Sequence, residues 1–472
     1  MRYIPQELID EVIGFVHDDV PTLKTCALVS HAFLPSSRKH AFSRVTLAQK
    51  DYRPSSAHPL SGGIMCTCEN FHSLLRSAPY IAPFVLSLRM VHFQAEYGRG
   101  VRGIYHENVL PSILDSLQNL QCITVGADDS KVSWRMLPSV FKEALFRSFS
   151  LPSVQCINLD QLEDIDRPRT LMGRLAGSPS LTRLSLNWIE YSRASRSSHS
   201  DGPADADERE PVIRPRLEAL ELSGYDCPVS AMYLAGPNSL FNTHHLRELS
   251  VGFTGKDLQR QRSLVQAIID QASNTLECLV YRQLFEWDSS LSQGPLLKTE
   301  HLTRLRSLCV SVDFVPPPAL IPLTHTLEEL KLLVVLRGDR IPPCHEWSLL
   351  DEHIGHRHDM TSLRSVDLKL HSQCGHNCYS FLCTGAQGAE TLRGSLKEVE
   401  KSLPILHGRG VLRVEAIRGM GSLILLDAFL KCVEYGVENL TSTTGTPTVL
   451  ALSSTITVDL YHYKAKAPGD IG

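Results

Sequence analysis

Three groups of residues combine types and spacings that chemistry could use. Gly98-Arg99-Gly100-Val101-Arg102-Gly103 spells a glycine fingerprint whose open backbone suits a dinucleotide pyrophosphate, with Asp128 downstream as a ribose-binding carboxylate. Its context argues otherwise: Gln94 to Tyr97 separate it from the preceding apolar strand, and Pro111 stands where the phosphate-capping helix should run. The glycines therefore read as a loop. Cys374-Gly375-His376-Asn377-Cys378, near Cys344, His345, His353, His356, His358, His371 and Cys383, concentrates soft metal ligands. No second Cys-x-x-Cys and no ordered His pair completes a zinc pattern, which favours a loop there too. Gly255-Lys256-Asp257 lacks the Ser/Thr and the upstream glycine of a phosphate loop, and neither Gly-x-Ser-x-Gly nor His-Glu-x-x-His occurs. The sequence thus predicts no catalytic residue, no metal site and no cofactor.

The elements around these groups follow from composition and periodicity. The 472 residues are 43% hydrophobic and 21% charged, enough for a sizeable core, and a net charge of -4 gives no global pull toward nucleic acid or anionic membranes. The apolar runs Leu332 to Leu336 and Leu423 to Leu430 are far shorter than the roughly 20 residues that cross a bilayer. The first residues lack the apolar stretch of a secretory signal, and thirteen Cys without a dense framework suit reduced thiols. A cytoplasmic or nuclear location is expected.

From Ile4 to about Leu47 the apolar residues recur at helical spacing. Leu8, Ile9, Val12, Ile13 and Val16 form one stripe behind Pro5, which fits a first helical turn. Asp18-Asp19-Val20-Pro21 marks a turn, and further helices are predicted through Leu23 to Val29 and from about Ser30 to Phe42. About 40 residues rarely hold a stable core alone, so apolar surface is expected to remain for a partner. The series Ile4-Pro5-Gln6-Glu7-Leu8-Ile9, Val12, Val16, Leu23, Cys26-Ala27-Leu28-Val29-Ser30 and Phe33 resembles the F-box motif. That family begins Leu-Pro-x-Glu-Leu and has a Val-Ser pair followed three residues later by Trp; here Ile4 and Phe33 replace the first Leu and the Trp. The resemblance implies binding to a Skp-type adaptor, and through it to a cullin, by Ile4, Pro5, Leu8, Ile9, Val12, Val16, Val29 and Phe33. It covers about a tenth of the chain.

Past residue 80 the pattern apolar-x-x-apolar-x-apolar returns about ten times, at intervals of about 22 to 36 residues. Examples are Val85/Leu88/Met90, Leu120/Ile123/Val125, Leu217/Leu220/Leu222 and Leu363/Val366/Leu368. The last two anchors of each copy point to one face of a short strand, and segments such as Val109 to Leu120, Met136 to Phe149 and Leu258 to Ala272 carry helical spacing. An α/β fold is expected: a short three-helix domain over 1–47, a linker and helix over 48–79, a solenoid of parallel strands with outer helices over 80–435, and a tail over 436–472. Ser192 to Pro215, almost without apolar residues, is expected to be a disordered insertion. The repeats resemble leucine-rich repeats, although the Asn or Cys usual after the last anchor is replaced, as by Ile189, Tyr225 and Thr254.

Alternation assigns Arg183, Asn187, Glu221, Glu248, Arg282, Lys331, Asp367 and Lys369 to the outward face of this sheet, a candidate surface for an unknown protein substrate. Cys122, Cys156, Cys278 and Cys309 fall at related outward positions. Together the resemblances imply a non-enzymatic substrate receptor of a ubiquitin ligase. A repeat scaffold without ubiquitin function, and a nucleotide- or metal-dependent enzyme, are the alternatives.

Overall fold

In the computed structural model the anchors of the recurring pattern are what the fold is built on. The structure describes residues 4–418, apart from 50–62, 93–103, 128–130, 193–213, 225, 236–238, 254–257, 284–296, 313–323, 338–343, 356–360 and 374–395. The glycine fingerprint, the Gly-Lys-Asp segment, most of the Cys/His-rich region, nearly all of the hydrophilic insertion and the tail lie outside the described residues.

Strands β1 (Arg44–Leu47), β2 (Ile64–Cys66), β3 (Ser87–His92), β4 (Cys122–Ala127), β5 (Val132–Ser133), β6 (Cys156–Asp160), β7 (Leu162–Glu163) and β8 (Arg183–Asn187) are followed by β9 (Ala219–Gly224), β10 (Glu248–Phe253), β11 (Cys278–Gln283), β12 (Ser307–Val312), β13 (Glu329–Arg337), β14 (Ser365–Gln373) and β15 (Leu412–Arg418). Thirteen form one parallel sheet in the order β15-β14-β13-β12-β11-β10-β9-β8-β6-β4-β3-β1-β2, while β5 and β7 pair separately. Apart from β2, each strand in the large sheet lies beside its neighbours in the chain. Register follows the anchors: Leu88, Ile123, Ile157, Leu184, Leu220, Leu249, Leu279, Leu308, Leu330 and Val366 make one continuous row. A one-residue slip anywhere would turn a whole strand's apolar set away from the core, which is why the row holds.

On one side of the sheet these rows meet the helices. Phe71 and Leu75 from α4 (Cys68–Ser77), Ile113 and Leu114 from α5 (Leu110–Ser116), and Phe141, Leu145 and Phe149 from α6 (Ser139–Phe149) are buried against them. So are Val265, Ile268 and Ile269 from the helix Leu258–Gln271, and Trp347 and Leu350 from the helix Cys344–Gly355. Each strand-plus-helix unit has an apolar side that only its neighbours can cover, so stacking supplies the stability.

The sheet starts earlier than residue 80. Val45 and Leu47 of β1 are buried in the main core, and β1 and β2 extend the sheet back into the stretches expected to be a helical domain and a linker. Both strands are too short to carry the three-anchor pattern, so sequence periodicity did not show them. Ile189, at the position where an Asn or Cys was expected, is buried and serves the apolar core.

At the end of β9 a glycine is required by its surroundings. Gly224 has φ +107°, and a Cβ there would lie 2.8 Å from the Trp188 Cα. Trp188 itself sits at φ 53° and donates its N–H to the Ser223 carbonyl at 2.9 Å. Gly224→Ala is expected to cost about 2 kcal/mol through backbone strain, a loss measurable by urea unfolding.

Candidate functional site

Two surfaces concentrate side chains that the core leaves free. The first lies on the N-terminal helices α1 (Gln6–Gly14), α2 (Val20–Val29) and α3 (Leu34–Ser43). Pro5 precedes α1, and its carbonyl accepts the Leu8 and Ile9 N–H groups at 3.2 and 3.3 Å. Asp19 caps α2: Oδ1 accepts the Thr22 N–H at 3.1 Å and Oδ2 accepts the Thr22 hydroxyl at 2.6 Å, which holds the carboxyl below its ordinary range. Asp10 ties α1 to α3. It accepts the Gln6 amide at 2.8 Å and the Ser36 hydroxyl, and these bonds keep its pKa low. Gln6 also donates to the Ala32 carbonyl at 2.9 Å.

The trio has its own small core of Ile9, Ile13, Leu23 and Ala41, with Val16, Cys26, Ala32, Phe33 and Ile64 packed around it. It is anchored to the sheet domain where Arg38 stacks over the Tyr80 ring, 5.6 Å from its centroid, and by an Arg44–Asp18 ion pair at 2.9 Å. The apolar stripe expected on α1 therefore splits. Ile9 and Ile13 face inward, while Leu8, Val12 and Phe15, at i, i+4 and i+7, remain 52%, 63% and 80% exposed. Leu28 and Val29 at the end of α2 are 89% and 68% exposed, and Ile4 is 59% exposed. Half of the twelve large apolar side chains exposed among the described residues thus belong to residues 4–29, a concentration on one small part of the chain.

Of the residues expected to meet an adaptor, Ile4, Pro5, Leu8, Val12 and Val29 are exposed. The other three face inward: Ile9 on α1 is buried in the trio's core, and Val16, in the turn after α1, and Phe33, just before α3, are partly buried against it. Phe15 and Leu28 join the exposed set. Their signal was present in the sequence, since Phe15 continues the spacing of Leu8 and Val12.

The second surface is the face of the sheet against which none of the described helices packs, called helix-free in that sense. Arg183, Asn187, Glu221, Glu248, Arg282, Lys331, Asp367 and Lys369 all project from it, in three adjacent rows set by the register. Across β8 and β9 the side chains form a relay. Ser223 donates to Asn187 Oδ1 at 2.8 Å, the Asn187 amide donates to Ser185 Oγ at 2.9 Å, and Ser185 donates to Glu221 Oε2 at 2.9 Å. Arg282 faces Glu221 at 3.9 Å and donates to Ser250 Oγ at 3.3 Å. Ion pairs link Arg183 with Glu248 at 3.9 Å, Lys331 with Glu329 at 3.4 Å and Lys369 with Glu415 at 3.5 Å. Charges of both signs are interleaved, so the face carries no field of a single sign.

Arg282 departs from expectation. It points outward but is only 2% exposed, so it is an internal brace of this face and not an accessible contact. Val280, Cys309 and Leu333, also outward by alternation, form a separate buried apolar cluster beside Cys278. Burial raises the Glu248 carboxyl above its ordinary range, with Arg183 opposing the shift.

Asp367 is raised for the same reason, although Lys331, Arg413 and Lys369 pull the other way. Its Oδ1 is buried without a hydrogen-bond partner among the described residues. A carboxyl raised on folding makes its charged form a cost above the folded pKa, and that cost is relieved as pH falls through it. Asp367→Asn is therefore expected to raise the melting temperature at pH 7, with the gain disappearing below the ordinary aspartate value of 3.8.

Among the described residues, no three His, Cys, Asp or Glu side chains converge as a metal site, and no helix is long and apolar enough to cross a membrane. A scan against protein-family models found no match, and a search of curated proteins likewise returned none.

Proposed function

We propose that the chain is a substrate receptor of a Skp/cullin/F-box ubiquitin ligase: the N-terminal trio docks on a Skp-type adaptor, and a leucine-rich-repeat-type solenoid presents its helix-free face to a target protein. The observation that carries this reading is the set of exposed apolar side chains on α1 and α2, which stays outside a trio that has already closed its own core. Its position matches the residues through which the chain resembles an F-box. The repeat sheet supplies a long fixed surface of mixed polarity, suited to an extended protein ligand. On this reading the chain does no chemistry itself, and ubiquitin transfer belongs to the rest of the ligase.

The test is reconstitution. Full-length protein mixed with a purified Skp-type adaptor is expected to elute from size exclusion as a stoichiometric complex that then recruits a cullin. Separate elution at micromolar concentrations would refute the assignment and leave the repeat scaffold.

A further inference from the structure

Cys122 on β4 and Cys156 on β6 are register partners on the helix-free face. Adjacent strands place their Cα atoms about 4.8 Å apart, inside the span of roughly 4.4–6.8 Å that a disulfide bridges. Neither residue is fully buried, and both are free thiols. Hydrogen-bond donors converge on the Cys122 sulfur. The Asn158 amide donates to it at 3.9 Å and to Thr124 Oγ1 at 3.2 Å. The single proton of the Cys156 thiol has two acceptors in reach, Asn158 Oδ1 at 3.6 Å and the Cys122 sulfur. The hydroxyls of Ser87 on β3 and Thr124 add to this, and Arg183 on β8 contributes positive charge. These contacts, led by the Cys156 thiol, lower the Cys122 pKa, while Cys156 is pushed up by the same bond and by burial. With the Asn158 amide aimed at the Cys122 sulfur and the Asn158 carbonyl accepting the Cys156 proton, the arrangement favours the thiolate at Cys122 over that at Cys156. Cys68, Cys227 and Cys309 contrast with it, pushed up to about 12 chiefly by burial.

We propose that Cys122 and Cys156 form a peroxide-reactive dithiol, with Cys122 as the attacking sulfur and Cys156 as the resolving one. The Cys122 thiolate attacks one oxygen of a hydroperoxide such as hydrogen peroxide. An S–O bond forms, the O–O bond breaks, hydroxide leaves, and sulfur gives up two electrons to become a sulfenic acid. Cys156 then attacks Cys122 Sγ. The S–S bond forms as the S–O bond breaks, and the departing hydroxide takes the Cys156 proton to become water. Overall, one thiolate, one thiol and hydrogen peroxide give one disulfide, one water and one hydroxide. This reading needs no ubiquitin function. It makes the face between β3 and β8 a modification site whose oxidised form ties two rungs of the sheet together.

The test uses the full-length reduced protein, treated with one equivalent of hydrogen peroxide, alkylated, and examined by peptide mass spectrometry. A linked peptide pair containing Cys122 and Cys156, lighter by two hydrogens, is expected first. Cys122 is expected to react about fivefold faster than an unperturbed thiol, since the gain in thiolate is partly offset by lower nucleophilicity. In Cys156→Ser, which keeps a hydroxyl donor, the sulfenic acid at Cys122 is expected to persist and to be captured by dimedone. Cys122→Ser is expected to lose both products. Capture at other cysteines before Cys122, or no Cys122–Cys156 link in the unaltered protein, would overturn the proposal.

Discussion

Aspartate at Leu8, Val12 and Leu28 together is expected to abolish assembly with the Skp-type adaptor while leaving the fold intact. The three side chains are 52%, 63% and 89% exposed, and the core beneath them is made by Ile9, Ile13 and Leu23 instead. The substitutions therefore remove nothing that holds the helices together. In a complex each apolar side chain is worth about 1.5–3 kcal/mol, and a carboxylate in its place must also be desolvated. Even a conservative total of about 4 kcal/mol weakens binding by roughly a thousandfold. Calorimetric titration measures this directly, and unchanged far-ultraviolet circular dichroism verifies the fold. Undiminished affinity in the triple variant would dispose of the proposed docking surface. Ile9→Ala is the informative contrast: it should lower the stability of the trio first and affect binding only through that loss.

The second large effect belongs to the centre of the sheet. Leu249 on β10 is 1% exposed and lies in register between Leu220 and Leu279. Leu249→Ala is expected to cost about 3–4 kcal/mol, combining lost transfer energy with an unfilled cavity. Because each unit is stabilised by its neighbours, the damage should not spread evenly. Hydrogen exchange is expected to accelerate most in β9, β10 and β11, while β3, β4 and β6 keep their protection. Uniform acceleration across the sheet would show a single cooperative block instead of a coupled series.

The strand framework was legible because alternation and recurrence reinforce each other. Leu217, Leu220 and Leu222 mean little alone, but the same spacing in successive copies fixes both the strand and its inward face. The short β2, Ile64–Cys66, carries no such pattern and depends on β1 for its definition. On α1, neighbouring apolar residues left the two sides of the helix unresolved. Leu8 and Ile9 are chemically alike, and only packing against Leu23 and Ala41 separates the outward residue from the inward one. Arg282 was legible in direction but not in burial, since its acceptors Ser250 and Glu221 come from other strands. Cys122 and Cys156, 34 residues apart, were legible as matching outward positions of two copies, but the Asn158 contacts that distinguish the two sulfurs were not.

Because chain order and spatial order coincide from β3 to β15 in the large sheet, with β5 and β7 set apart from it, the sheet behaves as a ruler. Each step along it adds about 4.8 Å, so a protein held at β14 sits about 29 Å further from the N-terminal helices than one held at β8. If the proposed function holds, where along that scale a target settles would set how far its lysines stand from the ligase, and duplicating or deleting a single unit would retune that reach without touching either contact.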